Sequence, residues 1–144
     1  MNTTVVEEWL RRVEKDLTMA RKGCEGPDAV PDQSAYHVQQ AAEKLTKAAL
    51  VAHKGRPRKG HKIQEFARRL PDAFALKARF RALERFSDFV WVWRYPEEPG
   101  QPPPPPEPAV AEVREWLAEV QGLKADFERW LAERASAAAE GGTR

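Results

Sequence analysis

The sequence predicts an all-α protein, a mostly antiparallel bundle of four long helices plus one short helix. Apolar residues recur through each long segment at the spacing that gives a helix one buried stripe. No segment alternates apolar and polar residues with the period of two that a half-buried strand needs. Proline and glycine mark the joints between the periodic segments. A chain of 144 residues, with 42% hydrophobic and 32% charged residues, has the length of one domain and an ordinary globular balance.

Each element has its own warrant. Val6, Trp9, Leu10, Val13, Leu17 and Ala20 step at helical spacing and predict a first helix over about residues 4–22, with Thr3 or Thr4 as N-cap and Gly23, Gly26 and Pro27 as its end. Pro31 or Asp32 opens a second helix that runs to about His53. Its stripe of Val38, Ala41, Ala42, Leu45, Ala48, Ala49 and Ala52 is made of small residues, which let neighbouring helices approach closely. Gln40, Glu43, Lys44 and Lys47 flank that stripe. A loop with Gly55, Pro57 and Gly60 follows, then a short third helix over 61–70. Pro71-Asp72 starts a long fourth helix, with Leu76, Phe80, Leu83, Val90 and Trp93 near one face and Phe86 and Phe89 beside them. It must stop at Tyr95, because Pro96 disfavours helical geometry in the residue before it. Pro102 to Pro106 are five consecutive prolines, so the segment from Pro96 to Pro108 reads as an extended strap or as a ligand for a proline-recognising domain. Val110, Val113, Trp116, Leu117, Val120, Leu123, Phe127, Trp130 and Leu131 form the last helix. Residues 135–144 offer little to bury and are expected to fray, so the domain is read as 1–134.

Composition excludes several classes. The net charge is only +2, so any case for nucleic acid rests on local clusters. The one cysteine, Cys24, has no internal disulfide partner, and no Cys/His spacing resembles a zinc site, which suits a reducing cytoplasm. Glu7, Glu8, Arg11 and Arg12 near the start do not make a signal peptide. No run of roughly 18 apolar residues is present to span a membrane.

Four features can carry chemistry. Lys54, Arg56, Arg58, Lys59 and Lys62 form a basic loop around two glycines, suited either to a phosphate backbone or to the negative end of the second helix's dipole. His37 is either a general base or a hydrogen-bonded surface histidine. Arg94, at the end of the fourth helix, can grip a phosphate or a carboxylate bidentately or cap its own helix. Trp91 and Trp93 suit core or interface packing better than base stacking.

The second-helix run with Gln40, Glu43, Lys44 and Lys47, the Gly55/Pro57/His61 loop and Arg94-Tyr95-Pro96 together resemble the HEPN family, the higher eukaryotes and prokaryotes nucleotide-binding domain, over about residues 5–134. The resemblance implies a bundle of four to five helices that usually dimerises, with Arg94 near its counterpart across a cleft. Many members are RNA-cutting toxins or defence nucleases, many work beside a minimal nucleotidyltransferase antitoxin, and others are binding or regulatory modules without nuclease activity. The RNase members carry an arginine followed four to six residues later by a histidine. Here Arg94 is followed by Tyr95-Pro96-Glu97-Glu98-Pro99-Gly100, and no histidine occurs after His61. The tyrosine that nucleotidyltransferase antitoxins modify, two residues beyond that histidine, has no counterpart. Arg56 and His61 match the spacing but sit in the wrong loop, a chance match.

The expectation is therefore a non-catalytic, homodimeric HEPN-type module. It contacts a nucleotide or RNA phosphate, or a nucleotidyltransferase partner in a toxin–antitoxin-like system, through Arg94, Tyr95, His37, Gln40 and Lys44. The alternative is a divergent metal-independent endoribonuclease in which His37 replaces the missing histidine, since losing a general acid or base costs on the order of 100- to 10,000-fold in rate. A third reading is a structural module that recruits a protein through the strap or the tryptophans. No cofactor or metal is implied: the carboxylates are scattered, and no glycine-rich phosphate loop follows a strand.

Overall fold

Helix α1 (Thr3–Gly23) and helix α2 (Pro31–Ala52) lie against each other along their length in the computed structural model, which describes residues 2–57 and 62–141. Gly23 meets Ser34, Asp16 meets His37 and Lys44, and Trp9 meets Lys47. Earlier α1 residues thus meet later α2 residues, so the pair is antiparallel. The Asn2 side chain accepts a hydrogen bond from the Val5 amide at 3.2 Å, so the N-cap is Asn2 and Thr3 is already helical. At the other end a Cβ on Gly23 would stand 2.1 Å from Ser34 Oγ, so a larger residue there would have to turn that hydroxyl aside. Pro31 occupies the first turn of α2, where a missing N–H costs nothing.

α2 is the axis of the bundle. Ala35, Val38, Ala41, Ala42, Leu45, Ala48 and Ala49 are fully buried, and α2 packs on α1, on α3 (Ile63–Ala67), on the fourth arm and on α5 (Val110–Gly141). Alanines at these positions explain how one helix reaches four neighbours.

The fourth arm departs from the uniform helix expected from Pro71. Residues 71–76 form turns, α4 spans Lys77–Ala82, and a 3-10 helix continues over Leu83–Val90. The cause is legible in the side chains. Phe80, Leu83, Phe86 and Phe89 fall every third residue, and a helix with three residues per turn aligns such a row on one face. Phe80, Leu83 and Phe86 are fully buried, and Phe89 packs against them. Ser87 Oγ accepts from the Ile63 amide at 3.2 Å and donates to Gln64 Oε1 at 2.9 Å, which fixes the start of α3. Arg85 pairs with Glu119 at 2.8 Å and Arg79 with Asp126, holding the arm on α5.

Val113, Leu117, Val120, Leu123 and Phe127 bury the inner stripe of α5. Residues 135–141, expected to fray, continue this helix with exposed side chains. Ala135, Ala137, Ala138 and Ala139 explain the difference, since alanine has the best helix propensity and needs no burial to express it. Counting α4 with its 3-10 continuation as one arm, the protein is an all-α bundle of four long arms and the short α3. Among the described residues there is no strand, and no helix is long and apolar enough to cross a membrane.

Candidate functional site

A buried carboxylate organises the most polar part of the bundle. Asp16 takes the α1 position between Val13 and Ala20, on the face turned toward α2, and is only 8% exposed. Lys44 donates to Asp16 Oδ2 at 2.6 Å, and His37 Nδ1 lies 3.0 Å from Oδ1. Burial alone would raise the Asp16 pKa, but the hydrogen bonds from His37 and Lys44 outweigh it and hold the carboxyl below its usual range. An ionised carboxylate only accepts, so His37 Nδ1 carries the proton and donates. In the neutral ring Nε2 then holds the lone pair, and it makes no hydrogen bond among the described residues.

Tyr36 extends the cluster. Its ring meets His37 edge-on with centroids 5.3 Å apart, and the Arg94 guanidinium lies over the same ring, 4.3 Å from its centroid. Of the two readings of Arg94, capping of its own helix is not seen among the described residues. The 3-10 helix ends at Val90, and Trp91–Arg94 form a turn closed by hydrogen bonds from the Trp91 amide to Asp88 and from the Arg94 amide to Trp91. Among the described residues its guanidinium makes no ion pair or hydrogen bond. That leaves the planar fork of donors available to an oxyanion beside the ring.

The other candidate residues fall in three places. Gln40 lies on the same α2 face as His37 and Lys44, half-buried, and donates to Gln39 Oε1 at 2.7 Å. Tyr95 is 69% exposed and, with Trp91, borders a groove beside the proline strap. The basic loop lies past the far end of α2, about 22 Å along the axis from His37 at 1.5 Å per residue. There Lys54, Arg56 and Lys62 are exposed, and the Arg56 carbonyl accepts from Arg69 at 3.1 Å. Arg58, Lys59 and His61 lie outside the described residues.

Asp16 and Tyr36 were absent from the sequence-based candidates. Asp16 left a signal: a carboxylate within the apolar stripe of Val6, Trp9, Val13 and Ala20 needs a cationic partner. Tyr36 left none, because its partner Arg94 is 58 residues away in the chain. The nearby Glu43–Lys47 pair (3.2 Å) supports structure rather than a ligand, since Lys47 also lies over the rings of Trp9 and Phe66 at 5.4 and 5.0 Å. Among the described residues no three His, Cys, Asp or Glu side chains are grouped to hold a metal ion.

These features define a helical bundle with a polar cluster on its central helix and an uncommitted arginine beside it. The HEPN domain model matches residues 6–140, nearly the whole chain, and the protein belongs to the HEPN family. No curated protein and no solved structure gives a significant match.

Proposed function

We propose that this protein is a homodimeric HEPN module that holds a phosphate of a nucleotide or an RNA strand on the face formed by His37, Gln40, Lys44 and Arg94. One observation carries the reading: the Arg94 guanidinium lies over the Tyr36 ring and has no carboxylate partner among the described residues. An arginine oriented by a ring with its donor edges free is suited to bidentate phosphate contact. Lys44 neutralises Asp16 rather than contacting ligand, so the face keeps the positive charge of Arg94. Trp91 and Tyr95, exposed on either side of Arg94 in the chain, suit a dimer face that brings two such arginines together. The binding chemistry equally accommodates a carboxylate of a nucleotidyltransferase partner in a toxin–antitoxin-like pair, and the unpaired Cys24 suits work in a reducing cytoplasm.

The test is fluorescence anisotropy with a labelled single-stranded RNA across a salt series. Wild type is expected to bind with affinity that falls as salt rises. Arg94→Ala should weaken binding about tenfold and reduce the log–log salt slope by about 1 per lost contact. Unchanged binding in that variant would remove the site.

The Asp16–His37 hydrogen bond favours a second reading, a metal-independent endoribonuclease. Asp16 orients the imidazole, Nε2 takes the proton of a 2′-hydroxyl, and the 2′-oxygen attacks phosphorus. The 5′-oxygen leaves with a proton from solvent while Arg94 steadies the charge on the phosphorane. The same RNA samples decide between the readings. Cleavage to a 2′,3′-cyclic phosphate that is lost in His37→Ala favours the enzyme; binding without cleavage favours the module.

A further inference from the structure

The connection between the fourth arm and α5 is built largely of proline. Gln101 to Pro105 each precede a proline, which confines all five to extended backbone, and each proline fixes its own φ. Pro102–Pro106 therefore form a polyproline II run, and all five are exposed. Both ends are fastened. On one side Gly100 takes a left-handed φ of 85° and the Gln101 amide donates to the Glu98 carbonyl at 3.2 Å. On the other the Trp93 indole N–H donates to the Pro105 carbonyl at 3.1 Å, and Pro108 is buried. Trp91, 60% exposed, and Tyr95 line a groove against Pro102–Pro105. From Tyr95 to Val113 the chain holds four glutamates, of which Glu97, Glu98 and Glu107 flank the prolines, and no lysine or arginine.

We propose that Pro102–Pro106 is a pre-formed ligand for a partner protein domain that reads polyproline through an aromatic-lined groove with a basic rim. Polyproline recognition gains affinity because the ligand loses little entropy on binding, and fastening both ends of the run lowers that loss further. The partner's rings pack on the prolines, and its donors reach the carbonyls of Pro102–Pro104, since Trp93 already occupies that of Pro105. Trp93 uses within the chain the same indole-to-carbonyl contact. Cations on the partner's rim meet Glu97, Glu98 and Glu107.

The experiment titrates the full-length protein with three purified probes, an SH3, a WW and an EVH1 domain, read by tryptophan fluorescence and calorimetry. At least one probe is expected to bind in the micromolar range. Pro103→Ala combined with Pro104→Ala should weaken it tenfold or more at unchanged helicity. Glu97→Gln with Glu98→Gln should flatten its salt dependence, and Arg94→Ala should leave it unaltered, separating this surface from the phosphate site. The proposal is overturned if none of the three binds while each still binds its own proline-rich control peptide. It is also overturned if the proline variants change only self-association, which would make the strap an interface between copies of this chain.

Discussion

The two ends of α2 carry the two described histidines in opposite surroundings. Toward the N-terminal end, His37 is anchored through Nδ1 to the ionised Asp16, with Lys44 on the other carboxylate oxygen and Nε2 left open. At the C-terminal end, His53 is packed between the rings of Phe74 and Trp130, with centroids 4.5 and 4.9 Å away. Its Nε2 is buried without a hydrogen-bond partner among the described residues. Desolvation there, reinforced by the nearby charge of Arg134, pushes the His53 pKa down. One end of the helix is thus made to hold charge and the other to exclude it. The difference shows that a histidine's role on this helix is set by what α1 and α5 place opposite it.

The contrast breaks most visibly at Asp16. Asp16→Ala strands Lys44 and His37 beside a hole where a buried carboxylate stood, a change that costs about 3 kcal/mol when one member of a buried pair is lost. Urea unfolding at pH 7 followed by circular dichroism should report that loss, with Asp16→Asn falling between the variant and wild type. A loss below about 1 kcal/mol would mean that the cluster behaves as a solvated surface pair, and the two ends would no longer differ in kind.

How far this arrangement was legible in the sequence follows from where each signal lives. The alanine stripe of α2 and the inner face of α5 repeat over several turns, so their burial was readable. His37, Gln40 and Lys44 share one face of α2 because they are three and seven residues apart, and that too is written locally. The 3-10 geometry was spelled out by Phe80, Leu83, Phe86 and Phe89 but was read as an α face, because helices are assumed to keep 3.6 residues per turn. Residues 135–141 continue α5, and their alanines favour helix without burial. Asp16–His37 and Tyr36–Arg94 are tertiary pairs, and no local pattern states which carboxylate or ring will face which cation.

Stability against pH sharpens the comparison with a smaller effect. The folded His53 pKa is depressed, so the unfolded chain binds protons more readily; the stabilisation is present above the ordinary 6.5 and is lost as pH falls through the folded value. Asp16, whose folded pKa is also depressed, contributes above the ordinary 3.8 and loses its contribution only as pH falls below that. Acid unfolding should therefore weaken the protein in two separate steps, the histidine end first. His53→Phe keeps the ring stack, removes the unpartnered nitrogen and should stabilise by about 1 kcal/mol at pH 7. It should also flatten the upper step while leaving the lower one. If the upper step survives His53→Phe, another group carries it and the α5 end is not the site of proton exclusion.

The smallest expected effect tests whether the open end of the helix is organised for a ligand at all. Tyr36→Leu retains an apolar side chain on α2 but removes the face under the Arg94 guanidinium, a cation–π contact worth about 0.5–1 kcal/mol at an exposed site. Global stability should hardly change. RNA affinity should fall about two- to fivefold through lost orientation, the conversion of that energy at 1.4 kcal/mol per factor of ten. Combining Tyr36→Leu with Arg94→Ala should add nothing beyond Arg94→Ala alone, because the ring acts on the ligand only through the guanidinium. Additive losses would instead show that Tyr36 meets the ligand directly, as a stacking platform for a base.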